Sequence, residues 1–158
     1  MINEKFTRLV MKYTDTVFRV ALNIVKSPSV AEDVCQEVFL RLWKNKNDFV
    51  DDQDVKYWLI RVAINEGRRS VVSKWNKYEN LDEYAEKLSF QTTEMSDLFY
   101  SVMNLPRKYR IVIYLYYYEG YSTAEISKML LSSEAAVRTQ LHRGRELLKN
   151  NLLEAENV

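Results

Sequence analysis

The chain has 158 residues, 47% of them hydrophobic, with one cysteine, three glycines and a formal net charge of +1. This hydrophobic content excludes a disordered chain and suits one ordinary domain or two small ones. The near-zero net charge argues against a protein that holds DNA alone by neutralising phosphates. A single cysteine, Cys35, cannot form an internal disulfide. No apolar run could span a membrane and no signal peptide is visible, so we expect a cytoplasmic protein.

The N-terminal region predicts two consecutive amphipathic helices. Apolar residues at intervals of three and four predict a long first helix, capped by Asn3 and ended before Pro28. The sequence SVAE at residues 29–32 is a predicted capping box. The second helix should start there and run to about Trp43.

A polar loop at residues 47–53 precedes the third predicted helix. Asp54 is its predicted cap, and its apolar stripe ends near Val72. Gly67 should weaken this helix by up to about 1 kcal/mol, which predicts a kink or a frayed end.

The periodicity is weakest at residues 74–93, which we interpret as a linker with at most one helical turn near Tyr84. A helical stripe resumes between Met95 and Met103. We therefore expect an all-α protein of two small helical domains, 1–73 and 94–158, joined by a flexible linker.

The C-terminal region predicts a helix opened by Pro106 and ended near Gly120, then two more helices. A capping box at residues 122–125, STAE, starts the first of these. Ser133 is the predicted cap of the second, which should run to about Asn150. Two helices around a tight turn, the second one basic, predict a DNA-binding helix-turn-helix.

The second of these helices offers side chains suited to base edges and phosphates. The candidate DNA-binding residues are Ser133, Glu134, Arg138, Thr139, Gln140, His142, Arg143 and Arg145. The alternative is an αα-hairpin with a solvated charged face, which the clustering of basic residues on one helix disfavours.

The motif LPxxxRxVxxLxxxEGxSxxEI, followed by SxxxVR and RGRELL, closely resembles region 4 of bacterial sigma factors of the extracytoplasmic-function group. The resemblance implies that this helix recognises the minus-35 promoter element. Leu131 replaces the usual Gly in the turn, where a positive φ would disfavour it. Ala135-Ala136 replaces a common Gly-Thr pair, which removes a hydroxyl.

The segments AEDVCQEVFLRLW and YWLIRVAIN resemble sigma region 2 of the same group. The resemblance implies a docking face for the clamp helices of the RNA polymerase large subunit. Its candidate residues are Asp33, Gln36, Glu37, Leu40 and Trp43. The alternative, equally weighted for Trp43, is that Leu40 and Trp43 are core residues and the carboxylates are merely solvated.

The third predicted helix carries aromatic, basic and amide side chains that can stack on bases, hold phosphate and read a base edge. By the same resemblance these residues recognise and melt the minus-10 element: Tyr57, Trp58, Arg61, Asn65, Arg68 and Arg69. Alternatively Trp58 is a core residue, or the arginines form a solvated face. Many relatives carry Asp where this chain has Arg69.

No catalytic, metal-binding or cofactor-binding constellation is visible, and His142 is the only histidine. The resemblance implies a transcription initiation factor that binds core RNA polymerase and promoter DNA, with no small-molecule substrate. It also implies an anti-sigma partner, which in that family is often membrane-bound. The rival hypotheses are a stand-alone helix-turn-helix regulator, a helical adaptor that binds only protein and, more distantly, an enzyme.

Overall fold

The computed structural model describes residues 2–45, 49–73 and 93–156. Within these ranges the regular structure is entirely α-helical, as expected. The helices are α1 (Ile2–Val25), α2 (Pro28–Lys44), α3 (Asp52–Ser73), α4 (Thr93–Met103), α5 (Arg107–Tyr117), α6 (Thr123–Leu130) and α7 (Glu134–Glu156). The chain divides into two compact units, residues 1–89 and 90–158. Most of the predicted linker, including Tyr84, lies outside the described residues, but Thr93 already belongs to α4.

The N-terminal unit is a bundle in which α1, α2 and α3 all contact one another. The predicted apolar stripes form its core, which includes Val17, Val20, Ile24, Val38 and Leu59, each at most 1% exposed. The frayed end predicted at Gly67 is wrong, because α3 continues as one helix to Ser73. The glycine is instead required by close packing, since a Cβ there would collide with Ile24 of α1.

The predicted helix starts in this unit need correction. Helix α1 begins at Ile2, before the predicted cap Asn3. The cap of α2 is Ser27 rather than Ser29: its Oγ accepts the amide of Val30 at 3.4 Å, and Pro28 is the first helical residue.

The start of α3 differs in the same way. The predicted cap, Asp54, lies within the first turn of α3. The cap is Asp51, whose Oδ1 accepts the Asp54 amide at 3.0 Å. In both cases two polar side chains compete for one helix start, and the earlier residue takes the capping position.

The C-terminal unit contains α4 to α7, with Phe99, Tyr114, Ile126, Met129 and Val137 among its buried residues. The predicted break at Gly120 and the predicted start of the next helix are confirmed. Gly120 has a φ of 74°, and Ser122 forms the predicted capping box with Glu125. Helix α7 extends to Glu156, beyond the predicted end near Asn150.

The turn between α6 and α7 keeps a left-handed residue although glycine is absent. Leu131 has φ 54° and ψ 46°, and its amide donates to the carbonyls of Lys128 and Ser127. Its side chain is 77% exposed. The leucine therefore adopts the backbone that normally favours glycine, at the conformational cost the sequence predicts.

Candidate nucleic-acid and polymerase interfaces

The orientation of α7 is set by Val137 and Leu141, which are buried against the rest of the C-terminal unit. Ser133 caps the helix as predicted, with its Oγ accepting the amide of Ala136 at 3.1 Å. The opposite side of α7 carries the predicted DNA-binding residues. Exposed among them are Ser133, Glu134, Arg138, Thr139, His142, Arg143 and Arg145, whereas Gln140 is half-buried.

The first turns of α7 contain a set of polar contacts, one hydrogen bond and one ion pair, that crosses the helix-turn-helix. The Oε1 atom of Glu134 contacts Nη1 of Arg138 at 2.9 Å. The same oxygen accepts a hydrogen bond at 3.1 Å from the hydroxyl of Thr123, the first residue of α6. Thr123 was not predicted as part of the site, because its contact with Glu134 depends on the turn geometry.

Arg145 lies farther along α7 and also contacts another helix. Its Nη1 donates to the hydroxyl of Tyr117 at 3.2 Å. Both residues border an apolar groove of about 310 Å³ whose lining includes Leu98, Ile113 and Leu152. Arg145 is therefore exposed but not isolated, unlike a side chain that extends freely toward solvent.

In the N-terminal unit, α3 carries a row of aromatic, basic and amide side chains. The guanidinium carbon of Arg61 lies 5.9 Å from the centre of the Tyr57 ring. Asn65 and Arg68 are exposed farther along the helix. Trp58 is half-buried and packs edge-on against Phe49, with ring centres 5.8 Å apart, so it is not a fully enclosed core residue.

Arg69 belongs to a charge network between α2 and α3. The Oε1 atom of Glu66 contacts Nη1 of Arg69 at 3.2 Å and Nη2 of Arg41 at 2.5 Å. Arg41 also contacts the Glu37 carboxylate at 3.3 Å. Glu66 is only 8% exposed. Sequence reasoning missed Arg41 and Glu66, because nothing in either helix alone indicates that they meet.

The candidate polymerase face on α2 is open. Asp33 and Gln36 are exposed and Glu37 is half-buried. Leu40 and Trp43 are each 51% exposed, so the alternative that they are core residues is wrong.

The open face also includes a residue of α1. Phe6 meets Trp43 edge-on with ring centres 4.9 Å apart. With Phe39, Leu40 and Gln36, these two rings line a groove of about 580 Å³. Sequence reasoning assigned Phe6 only to the apolar stripe of α1 and so missed its place in this groove.

Two family models match the chain in the predicted order. Sigma-70 region 2 matches residues 9–77, and Sigma-70, region 4 matches residues 101–148. The ECF RNA polymerase sigma factor SigW of Bacillus subtilis is 28% identical, in an alignment that covers 94% of this chain and 89% of SigW. SigM of the same organism, also an ECF RNA polymerase sigma factor, is 29% identical, with 87% of this chain and 88% of SigM covered. This chain belongs to the extracytoplasmic-function group of sigma-70 factors.

Solved structures agree with this family at the level of the fold. The sigma factor RpoE of Bartonella quintana, solved with the anti-sigma factor NepR, matches with a TM-score of 0.71 and 15% identity, covering 94% of this chain and 97% of RpoE. CnrH, solved with the cytosolic domain of CnrY, matches with a TM-score of 0.65 and 23% identity, covering 97% and 90%.

All the predicted site residues of this sigma factor lie within the two matched ranges, whereas Phe6 lies just before the first. As a member of this family, the protein directs promoter-specific transcription initiation with core RNA polymerase. No helix in the described ranges is both long and apolar enough to cross a membrane. Cys35 is buried in the N-terminal unit, and burial raises the pKa of its thiol to about 12.

Proposed function

We propose that this sigma factor acts through three surfaces on two domains, joined by a linker that ends before Thr93, the first residue of α4. Helix α7 reads the minus-35 element, α3 recognises and melts the minus-10 element, and α2 docks on core RNA polymerase. The proposal rests above all on the outward placement of the basic residues of α7 by the buried Val137 and Leu141. That placement leaves one face of the helix free to enter a major groove.

The docking surface on α2 combines apolar and charged chemistry. Leu40 and Trp43 offer a large exposed apolar centre, and Asp33 and Glu37 supply an acidic rim. Interfaces with this anatomy concentrate their binding energy in a few aromatic or aliphatic residues. A partner with an apolar contact and basic residues around it fits this surface, and we assign it to the clamp helices of the polymerase large subunit.

The α3 surface suits an unpaired strand. Tyr57 can stack on a base, Asn65 can read its edge, and Arg61 and Arg68 can hold phosphates. Extruding a base from the duplex costs a few kcal/mol, and stacking on an aromatic ring returns about 1–3 kcal/mol. Losing one such contact should therefore affect strand opening more than polymerase docking.

Permanganate footprinting separates these two steps. Tyr57→Ala and Asn65→Ala should still join core polymerase and protect the minus-35 region, but lose the reactivity of thymines near the start site. A template already mismatched at the minus-10 element should restore much of the transcription. If the mismatched template restores nothing and polymerase binding is also lost, these residues are structural and the melting surface is wrongly assigned.

We also propose an anti-sigma partner for this chain. The support is the fold shared with RpoE, which was solved with the anti-sigma factor NepR. Co-purification of the chain with proteins of its host, followed by inhibition of transcription by the isolated partner, tests this proposal. Because promoter DNA and polymerase are the other proposed partners, the protein works in the cytoplasm.

Run-off transcription with purified core polymerase, with and without the chain, tests the central proposal. Free chain should bind promoter DNA weakly because its net charge is only +1, and the polymerase complex should bind it well. Tight, sequence-specific binding by the free chain at physiological salt would favour a stand-alone regulator. Transcription that is independent of the α7 residues would favour a protein-only adaptor.

Arg138→Ala tests the assignment of α7. Loss of one bidentate base contact should weaken minus-35 recognition by about 1–3 kcal/mol and relax the preference at one base pair. Arg143→Ala and Arg145→Ala should instead weaken binding to all sequences. Arg107→Ala, which removes an exposed arginine outside the three surfaces, is the matched control. An unchanged sequence preference in Arg138→Ala would reject the assignment.

A further inference from the structure

One carboxylate oxygen in the helix-turn-helix connects the two helices. Glu134 Oε1 accepts the Thr123 hydroxyl at 3.1 Å and contacts Arg138 Nη1 at 2.9 Å. Glu134 is in the first turn of α7, where the helix dipole favours a negative charge. Thr123 is the first residue of α6, directly after its N-cap, Ser122. The guanidinium of Arg138 is therefore linked through Glu134 to a side chain of a different helix.

An exposed ion pair four residues apart on one helix is weak by itself. Arg138 and Glu134 form such a pair, with side chains 59% and 45% exposed. The Thr123 hydroxyl restricts the carboxylate from outside α7, so fewer rotamers of Glu134 remain available. A restricted partner in turn restricts Arg138, which reduces the conformational entropy that Arg138 loses when it binds a base.

The contact leaves the base-reading part of the guanidinium available. Arginine has five N–H donors, and the closest contact of Glu134 is with Nη1. The remaining donors on Nη2 and Nε can still form two parallel bonds with O6 and N7 of guanine. Carboxylate support on one edge and guanine on another are compatible in the plane of a single guanidinium.

We propose that Thr123 is a positioning residue for minus-35 recognition. Its hydroxyl holds the carboxylate of Glu134, and that carboxylate aims Arg138 at a guanine edge. Thr123 itself does not touch the base. This inference rests on the proposed role of Arg138 as a base reader, and it adds a specificity-determining contact from α6, the helix that does not enter the groove.

Glu134 could act on Arg138 in two opposite ways, and these predict promoter binding that changes in different directions. If Glu134 competes with DNA for Arg138, weakening its hold should strengthen promoter binding. If Glu134 positions Arg138, weakening that hold should relax base preference at the one position that Arg138 reads. Phosphate binding by the other basic residues should be unchanged, because they do not contact Glu134.

The experiment uses the full chain with core polymerase and a set of promoters that differ by single base pairs in the minus-35 element. Arg138→Ala first identifies the position at which preference is lost. Thr123→Val, which keeps the shape and removes the hydroxyl, should lower preference there by about 2- to 10-fold, the net effect of one typical hydrogen bond. Preference elsewhere and the salt dependence of binding should not change.

Two variants control for folding and for helix α6. Thr123→Ser keeps the hydroxyl and should restore the preference. Ser127→Ala removes a hydroxyl that bonds only within α6, to the carbonyl of Ala124 at 2.7 Å, and should have no effect on preference. The imidazole resonances of His142, the only histidine, report whether the C-terminal unit of each variant is folded.

Two results would overturn the inference while leaving Arg138 as a base reader. One is a Thr123→Val protein with full preference at the position that Arg138→Ala relaxes. The other is tighter promoter binding by Thr123→Val or Glu134→Gln, which would make Glu134 a competitor. If Arg138→Ala changes no preference, the proposed function of Arg138 fails and this inference fails with it.

Discussion

In each unit two helices pack closely at a glycine, but the space around the glycine differs between the units. A Cβ on Gly67 of α3 would lie 2.8 Å from Cγ2 and 2.9 Å from Cβ of Ile24. On Gly144 of α7, the nearest atom would be Cγ1 of Ile113 at 3.0 Å. Both Ile24 contacts are shorter than 3.0 Å, whereas a Cβ on Gly144 would lie 3.0 Å or more from its neighbours, which also include Cδ1 of Ile113 and Cβ of Tyr109, each at 3.2 Å. The N-terminal crossing therefore tolerates less change than the C-terminal one.

The units also differ in the charge that they bury. The N-terminal unit encloses the carboxylate of Glu66 between two arginines. The C-terminal unit encloses the guanidinium of Arg110, whose Nη1 donates to the carbonyl of Met103 at 3.4 Å. Burial and the nearby Arg107 lower the pKa of Arg110 to about 10, which still leaves it charged at neutral pH. The first arrangement depends on charged side chains from two helices, and the second uses a backbone carbonyl that no substitution removes.

Replacing each of the two glycines with alanine should give the largest difference in stability change between the units. Gly67→Ala should destabilise the N-terminal unit by about 1–3 kcal/mol, because the new methyl group overpacks the crossing. Gly144→Ala should stay within about 1 kcal/mol of the parent, since improved helix propensity offsets a milder contact. Urea unfolding followed by tryptophan fluorescence reports the first, as every tryptophan precedes residue 76. Imidazole resonances of His142 report the second, and equal losses would refute the comparison.

Removing the buried negative charge should have the next largest effect. Exposed ion pairs contribute up to about 1 kcal/mol, and breaking a fully buried pair costs about 3–5 kcal/mol. Glu66 is buried but its arginines are partly exposed, so we expect Glu66→Gln to lose about 1–2 kcal/mol, between these limits. Tryptophan-detected urea unfolding measures the loss. Glu37→Gln, which removes the more exposed carboxylate beside Arg41, is the control and should lose less than half as much.

The comparison also explains which features the sequence could predict. Apolar periodicity predicted every described helix, because burial of one face dominates each helix locally. Capping signals placed Gly120 and the Ser122 capping box correctly. Sequence reasoning failed where two polar residues competed for one helix start, and at Gly67, where the reason for glycine lies on another helix.

Replacing the two left-handed turn residues with glycine should change stability by less, and should increase it rather than decrease it. Lys26 and Leu131 have φ values of 58° and 54°, one in each unit, and both side chains are exposed. A left-handed backbone costs a residue with a Cβ about 1–2 kcal/mol, and glycine loses about 0.5–1 kcal/mol of backbone entropy on folding. Lys26→Gly and Leu131→Gly should therefore each stabilise their own unit by about 0.5–1 kcal/mol. A matched pair, Lys26→Ala and Leu131→Ala, should bring no such gain in the same unfolding assays.

In the candidate sites too, some features follow from one helix alone and others depend on contacts between helices. Exposure of Arg138, Leu40 and Asn65 followed from their positions opposite the apolar stripes. The side chains that contact candidate site residues could not be predicted, because each contact joins two helices. Glu66 reaches Arg41 across α2 and α3, and Thr123 reaches Glu134 across the turn. The sequence of one helix does not show the angle at which that helix crosses its neighbour, so it cannot predict such pairs.

The smallest expected effect is a pH dependence confined to the N-terminal unit. Asp52 of α3 accepts hydrogen bonds from Arg8 at 3.0 Å and Lys12 at 2.7 Å, both on α1. These bonds hold the pKa of its carboxyl well below the usual range. Because the folded pKa is depressed, the stabilisation is fully present above the unfolded pKa of about 4 and is lost as pH falls below it. The exposed pairs are screened by salt, so the effect should be modest.

Asp52→Asn should therefore reduce the difference in stability of the N-terminal unit between neutral and acidic pH. At pH 7 the variant should unfold at a lower urea concentration than the parent, and the two midpoints should converge as pH falls from about 5 toward 2. Raising the ionic strength should reduce the difference at pH 7, because the contacts lie at the surface. Asp97→Asn, an exposed change on α4, should leave the tryptophan-detected midpoints of the N-terminal unit unaltered at every pH. Midpoints of parent and Asp52→Asn that stay parallel down to pH 2 would show that the contacts of Asp52 with α1 do not stabilise this unit through its charge.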